Sequence, residues 1–193
     1  MNGMSVKVVY EENLKKKKSY VFCPNHTSAL DILSVPLINE NFTFVGKNEI
    51  YKIPLFGYMF RKLHITVDRE SMKSKYKTII SSIEAIKQGK SILIFPEGGI
   101  VNPNPPHMAK FKDGPFRIAI ESGVPIVPVT IPYNWIILPG ENVRKFNKKG
   151  AVVKLIVHKP IETAGLTLND LVDLKSKTFS CISEELKKQM DEY

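Results

Sequence analysis

The 193 residues, 43% hydrophobic and 24% charged, have the balance of one globular domain of ordinary size, which excludes a disordered or collagen-like chain. With 28 Lys and Arg against 19 Asp and Glu the net charge is +9, so nucleic acid, anionic lipid and phosphorylated small molecules all qualify as partners on charge alone. Only Cys23 and Cys181 are present, far apart, which excludes a disulfide framework and points to a reducing compartment.

The first 20 residues are polar, end in Lys15 to Lys18 and carry no signal-peptide pattern. Tyr20 to Cys23 reads as a buried strand running into Pro24-Asn25-His26-Thr27-Ser28. A helix is expected over 29–38, with Thr27 and Ser28 as capping types. Phe42 to Val45 is a second strand, followed by Lys47; 48–61 suggests turns and short helices; 64–67 is a third strand, running into Asp68-Arg69. Over 71–88 the apolar positions Tyr76, Ile79, Ile80, Ile83 and Ile86 recur at helical spacing, and Gly89 ends the run. A fully apolar strand over 92–95 enters Pro96-Glu97-Gly98-Gly99. A helix over 113–122, strands over 124–131 and 151–157, and an amphipathic helix over 168–190 complete the chain. The longest apolar stretch, 124–139, contains four prolines, so no membrane-spanning helix is expected there. Strand–helix alternation predicts an α/β fold, a mixed and mostly parallel sheet flanked by helices, with sites in the loops at strand ends.

Three groups of residues suit chemistry. His26 and Asp31 can form a base and its orienting carboxylate if the helix entry folds one back on the other. Cys23 sits in an apolar pattern that suits a structural thiol, and Ser28 suits a cap better than a nucleophile. Glu97 with Gly98 and Gly99 reads either as a ligand-binding strand end or as a plain turn with a solvated Glu. Lys47, Arg69, Lys110 and Lys112 stand where cations could meet a phosphate, or could simply be solvated. No metal-ligand spacing is visible.

Four blocks in order resemble the glycerolipid acyltransferase family, typified by 1-acylglycerol-3-phosphate acyltransferase. They are His26-x4-Asp31; Ile65-Thr66-Val67-Asp68-Arg69, preceded by Lys47 and Pro54-Leu55-Phe56-Gly57; Phe95-Pro96-Glu97-Gly98; and Val124-Pro125-Ile126-Val127-Pro128-Val129. Each block alone is weak; their order is specific. The blocks cover about 21–131 of a single domain over 1–193, with a C-terminal strand and helix in 150–193. The resemblance implies acyl transfer from acyl-CoA or acyl carrier protein to a lysophospholipid hydroxyl. His26 would be the general base, Asp31 its orienter, and backbone amides would face the oxyanion. Lys47, Arg69, Glu97, Gly98 and Gly99 would hold the acceptor, with no bound cofactor and no metal.

Two departures stand out. The family's third block usually continues with Thr-Arg, whereas Gly99-Ile100 stands here. Lys110 and Lys112 are the candidates to replace that arginine at a phosphate, and an acceptor without phosphate, such as an amino-acid lysolipid, stays open. The hydrophobic N-terminal segment of many family members is also not visible. Either such a segment has been removed from this sequence, or the resemblance implies peripheral attachment to the cytoplasmic face of the membrane, through basic surface and aromatics such as Tyr51, Phe56, Tyr58 and Phe60. A lipid ester or thioester hydrolase would use the same base. From other classes, a membrane adaptor is opposed by the presence of both His26 and Asp31. A nucleic-acid-binding protein is opposed by the scatter of the lysines.

Overall fold

The computed structural model describes residues 5–47, 65–67, 71–140 and 151–192. Their core is one seven-stranded mixed sheet. In chain order the strands are β1 (Ser5–Tyr10), β2 (Val21–Pro24), β3 (Phe42–Lys47), β4 (Ile65–Val67), β5 (Ser91–Ile94), β6 (Ile126–Thr130) and β7 (Val152–Val157). Across the sheet the order is β1-β7-β6-β2-β5-β3-β4. Every neighbouring pair is parallel except β6 with β7. The expected mixed, mostly parallel α/β sheet is therefore what the chain forms.

β2 and β6 are central and buried along their whole length, which is why they read as unbroken apolar runs. Phe22, Leu93, Val127 and Val129 pack on one face of the sheet, and Val21, Cys23, Ile92 and Ile126 on the other. The first face is covered by α1 (Leu30–Ser34) and the turns around it. The second is covered by α2 (Met72–Lys87), α3 (Gly114–Ser122) and α5 (Leu171–Asp191). A single turn, α4 (Asn134–Ile137), follows β6.

Several expectations are corrected. The polar-looking N-terminus contains β1, a half-exposed edge strand in register with β7 from Ser5 opposite Val152 to Tyr10 opposite Val157. The helix expected over 29–38 stops at Ser34 and tightens into a 3-10 turn over Val35–Leu37, because Pro36 has no N–H to continue it. Thr27 does not cap that helix; its buried hydroxyl has no hydrogen-bond partner among the described residues, while Ser28 Oγ accepts from Leu30 N–H at 3.0 Å. The strand expected over 124–131 is shorter, and Pro128 within it contributes only its carbonyl, which accepts from His158 N–H at 3.0 Å.

The largest correction concerns α2. Its ends are as expected, with Ser71 Oγ accepting from Ser74 N–H and Gly89 in the left-handed region at φ +79°. Its buried face takes only part of the apolar series: Ile86 is buried and Ile79 packs beside it. Thr78, Ser82 and Ile86 face the core, and the hydroxyls of Thr78 and Ser82 donate to the Ser74 and Thr78 carbonyls. That internal pairing lets two polar side chains be buried at little cost. Met72, Tyr76 and Ile80 are left on the outside.

Candidate active site

β2 and β5 run parallel and adjacent, so the segments leaving their C-terminal ends lie together. Asn25 fixes the first of these segments. Its side-chain amide donates to the Ile131 carbonyl at 3.0 Å and accepts from Ile131 N–H at 2.7 Å, clasping the exit of β2 to that of β6. His26 follows, 7% exposed, with its ring stacked on Phe95 at a centroid distance of 4.0 Å and an interplanar angle of 18°.

The entry into α1 folds Asp31 back onto His26. His26 Nδ1 lies 3.0 Å from Asp31 Oδ2, and the same oxygen accepts from the N–H groups of Thr27 at 2.8 Å and Ser28 at 2.9 Å. Asp31 Oδ1 accepts from Asn134 Nδ2 at 2.9 Å, and that amide also donates to Ser34 Oγ at 3.0 Å. Asp31 is fully buried, yet both of its oxygens are occupied by donors. Because the two backbone N–H groups require an acceptor at Oδ2, the proton of this His–Asp bond belongs to Nδ1. Nε2 therefore carries the lone pair, and it has no hydrogen-bond partner among the described residues. The arrangement can accept a proton at Nε2 and stabilise the imidazolium that results.

Glu97 is turned inward. It is 1% exposed; Oε1 accepts from His26 N–H at 2.7 Å and Oε2 from Ala109 N–H at 2.7 Å. Burial pushes its carboxyl above the ordinary carboxylate range, against the pull of these two N–H groups and of His26. Gly98 closes the turn by donating to the Phe95 carbonyl at 3.1 Å, with φ at +83°, a conformation that favours glycine. Lys112 N–H donates to the Pro96 carbonyl at 2.8 Å, and the exposed Lys112 side chain runs over Gly98. A Cβ placed on that glycine would lie 3.7 Å from Lys112 Cγ.

His26, Asp31, Glu97, Gly98, Gly99 and Lys112 thus come together. Lys110 is exposed, and among the described residues no hydrogen bond or ion pair ties it to this cluster. Lys47 ends β3, which runs beside β5 with Val45 opposite Ile94, so its backbone stands at the level of the Pro96 turn. The Lys47 side chain lies outside the described residues, as do Arg69, the 54–57 segment and the aromatics Tyr51, Phe56, Tyr58 and Phe60. Cys23 is unsuited to nucleophilic attack, since full burial pushes its thiol far up. Asn134 is the site residue that the sequence pattern did not point to. A usable signal was there: an amide in an otherwise apolar, proline-rich run has to find partners when it is buried.

The Acyltransferase family model matches residues 5–132, about two thirds of the chain. The chain belongs to the acyltransferase family. It is 33% identical over 191 residues to a 1-acyl-sn-glycerol-3-phosphate acyltransferase of Saccharomyces cerevisiae, covering 97% of this chain and 61% of that protein. It is 30% identical over 191 residues to an uncharacterized acyltransferase of Schizosaccharomyces pombe, covering 97% and 67%. The acyltransferase fold is shared with the crystal structure of the 1-acyl-sn-glycerophosphate (LPA) acyltransferase PlsC from Thermotoga maritima. There the TM-score is 0.73 at 25% identity, over 95% of this chain and 72% of that one. The chain spans about two thirds or less of the length of the yeast relatives.

Proposed function

We propose that this acyltransferase moves a fatty acyl group from a thioester, acyl-CoA or acyl carrier protein, to the free hydroxyl of 1-acylglycerol-3-phosphate, giving phosphatidic acid. The observation that carries the reading is the unpaired Nε2 of a histidine ring held by Asp31 and Phe95. His26 Nε2 takes the hydroxyl proton as the acceptor oxygen attacks the thioester carbonyl. A C–O bond forms, the tetrahedral adduct collapses with cleavage of the C–S bond, and the proton passes from His26 to the departing thiolate. Asp31 balances the imidazolium between these steps. The names of the yeast and Thermotoga relatives support the acceptor.

The test is thiol release from acyl-CoA. Release should depend on added lysophosphatidic acid, with labelled phosphatidic acid as the product. Release without an acceptor would identify a thioester hydrolase instead.

Lys112 supports a phosphate-bearing acceptor even though Gly99-Ile100 replaces the usual Thr-Arg, because its stem crosses the Gly98 turn beside the base. Lys47 and Arg69 are proposed to assist at the same headgroup. Lys112→Ala is expected to raise KM for lysophosphatidic acid about three- to tenfold, the effect of losing one charge-assisted contact to phosphate, and to leave KM for a monoacylglycerol unchanged. Equal effects on both acceptors would favour a headgroup without phosphate.

Asn134 acts on the reaction through Asp31 and is a positioning residue. Asn134→Ala removes one donor from the buried carboxylate, and kcat is expected to fall roughly tenfold with KM little changed. Asn134→Asp should be worse, since it sets a second carboxylate against the first. Steady-state kinetics on both variants would separate this role from a merely structural one, which would lower the active fraction without ranking Asp below Ala.

The reading also places the protein peripherally on an anionic membrane, on its cytoplasmic face. Its acceptor is a lipid, its net charge is +9, and among the described residues no helix is long and apolar enough to cross a bilayer.

A further inference from the structure

We infer that the outer shoulder of α2, formed by Met72, Tyr76 and Ile80, is the face by which the protein docks on an anionic lipid surface. This rests on the lipid-acceptor reading above and adds the residues that make the contact. The three side chains are 74%, 59% and 38% exposed, and their four-residue spacing puts them in one stripe about 12 Å long. Packing has no use for them, because Thr78, Ser82 and Ile86 already fill the core-facing side of the helix. An apolar stripe of this kind on a monomer marks an interaction surface.

Charge selects the occupant. Lys73, Lys75 and Lys77 are all exposed around the stripe, and no acidic residue occurs on the helix before Glu84. Lysine stems can lie along an apolar interface while their ammonium groups reach lipid phosphates. A second copy of the chain would instead bring two such lysine sets together, which like-charge repulsion opposes. Position agrees with the assignment. Met72 begins α2 just after the C-terminal end of β4, and β4 is parallel to β3, β5 and β2. The leading end of the stripe is therefore on the same end of the sheet as His26 and Glu97. A docked molecule would hold its active site toward the membrane from which the lysolipid comes.

The experiment is partition of the purified chain onto sedimentable vesicles of phosphatidylcholine alone, or of an equal mixture with phosphatidylglycerol, which is neither the proposed acceptor nor its product. Wild type should bind the mixed vesicles and bind phosphatidylcholine weakly. Combined Met72→Ser, Tyr76→Ser and Ile80→Ser should lower partition at least tenfold. Combined Lys73→Gln, Lys75→Gln and Lys77→Gln should lower it about fivefold per lysine at low salt. Both variants should keep full transfer to a short-chain acceptor dissolved as monomers, so loss of docking is separable from failure of the acyltransferase reading. Leu168→Ser with Val172→Ser removes exposed apolar side chains that are not on α2 and should change nothing. Wild-type partition in both triple variants, or no binding of wild type to anionic vesicles, overturns the assignment. So does a wild-type dimer that the serine variant dissolves. Should the serine variant fail to fold, the exposed lysine substitutions decide.

Discussion

His26→Ala is expected to lower kcat for acyl transfer by about a hundred- to ten-thousand-fold, the usual loss for a positioned general base, with thermal stability near that of wild type. Stability should hold because, among the described residues, the ring makes one stacking contact and one side-chain hydrogen bond, whereas the backbone N–H of residue 26 keeps its bond to Glu97. Asp31→Asn should fall between wild type and His26→Ala. The N–H groups of Thr27 and Ser28 demand an acceptor, so the new amide must turn its oxygen toward them and toward Nδ1. The Nδ1–H tautomer is then retained, and only the negative charge opposite the imidazolium is lost. A charged hydrogen bond exchanged for a neutral one costs about 1–1.5 kcal/mol, or roughly five- to tenfold in rate. The Asn134 amide, which donates to Oδ1 in wild type and whose own Oδ1 has no partner among the described residues, can rotate to accept from the new NH2 group. Asp31→Ala lacks that acceptor oxygen and should be as slow as His26→Ala. A single-turnover measurement on the three variants checks the ranking, and an Asp31→Asn enzyme as slow as His26→Ala would overturn the tautomer argument.

The parts of this architecture legible in the sequence are those governed by local physics. The apolar runs of β2, β5 and β6 mark central strands because both of their faces are buried. Ser71 and Gly89 mark the ends of α2 because capping is a local interaction. His26 and Asp31 are five residues apart, so their meeting needs only one chain reversal at a helix entry. Long-range features did not show themselves. β1 becomes a strand by pairing with β7, whose partner residues lie about 147 positions away. Asn134 meets Asp31 across 103 residues. The apolar periodicity of α2 gave only part of its buried face: Ile79 and Ile86 pack on the core while Tyr76 and Ile80 do not, and Thr78 and Ser82 are buried because their hydroxyls are satisfied within the helix. Glu97 was legible as a site residue, but whether it faces ligand or protein is decided by the 99–112 segment, which brings Ala109 N–H to its second oxygen.

That inward orientation gives Glu97 the largest expected effect on stability and activity together. In the wild type its carboxylate joins two buried donors, one on the base segment and one on the loop leading to α3. Glu97→Ala leaves both N–H groups unsatisfied, at about 1–3 kcal/mol each, and opens a cavity beside His26. A total loss of about 3–6 kcal/mol is expected, together with a fall in kcat as the His26 backbone loosens. Glu97→Gln preserves the volume but can accept from only one of the two N–H groups, since its NH2 must face the other, so it should be intermediate. The pH dependence separates the charge of Glu97 from its shape. Burial raises the folded-state pKa above the unfolded value, so the folded chain holds this proton more tightly. The associated stabilisation is fully present below the unfolded value of about 4.5 and is lost as pH rises through the folded one. The stability advantage of wild type over Glu97→Gln should therefore shrink as pH climbs out of the acid range toward neutrality, because glutamine does not titrate. Urea unfolding of both proteins at a series of pH values would measure it. An advantage that grows over that window would mean that the two N–H groups outweigh burial and that Glu97 prefers its charge.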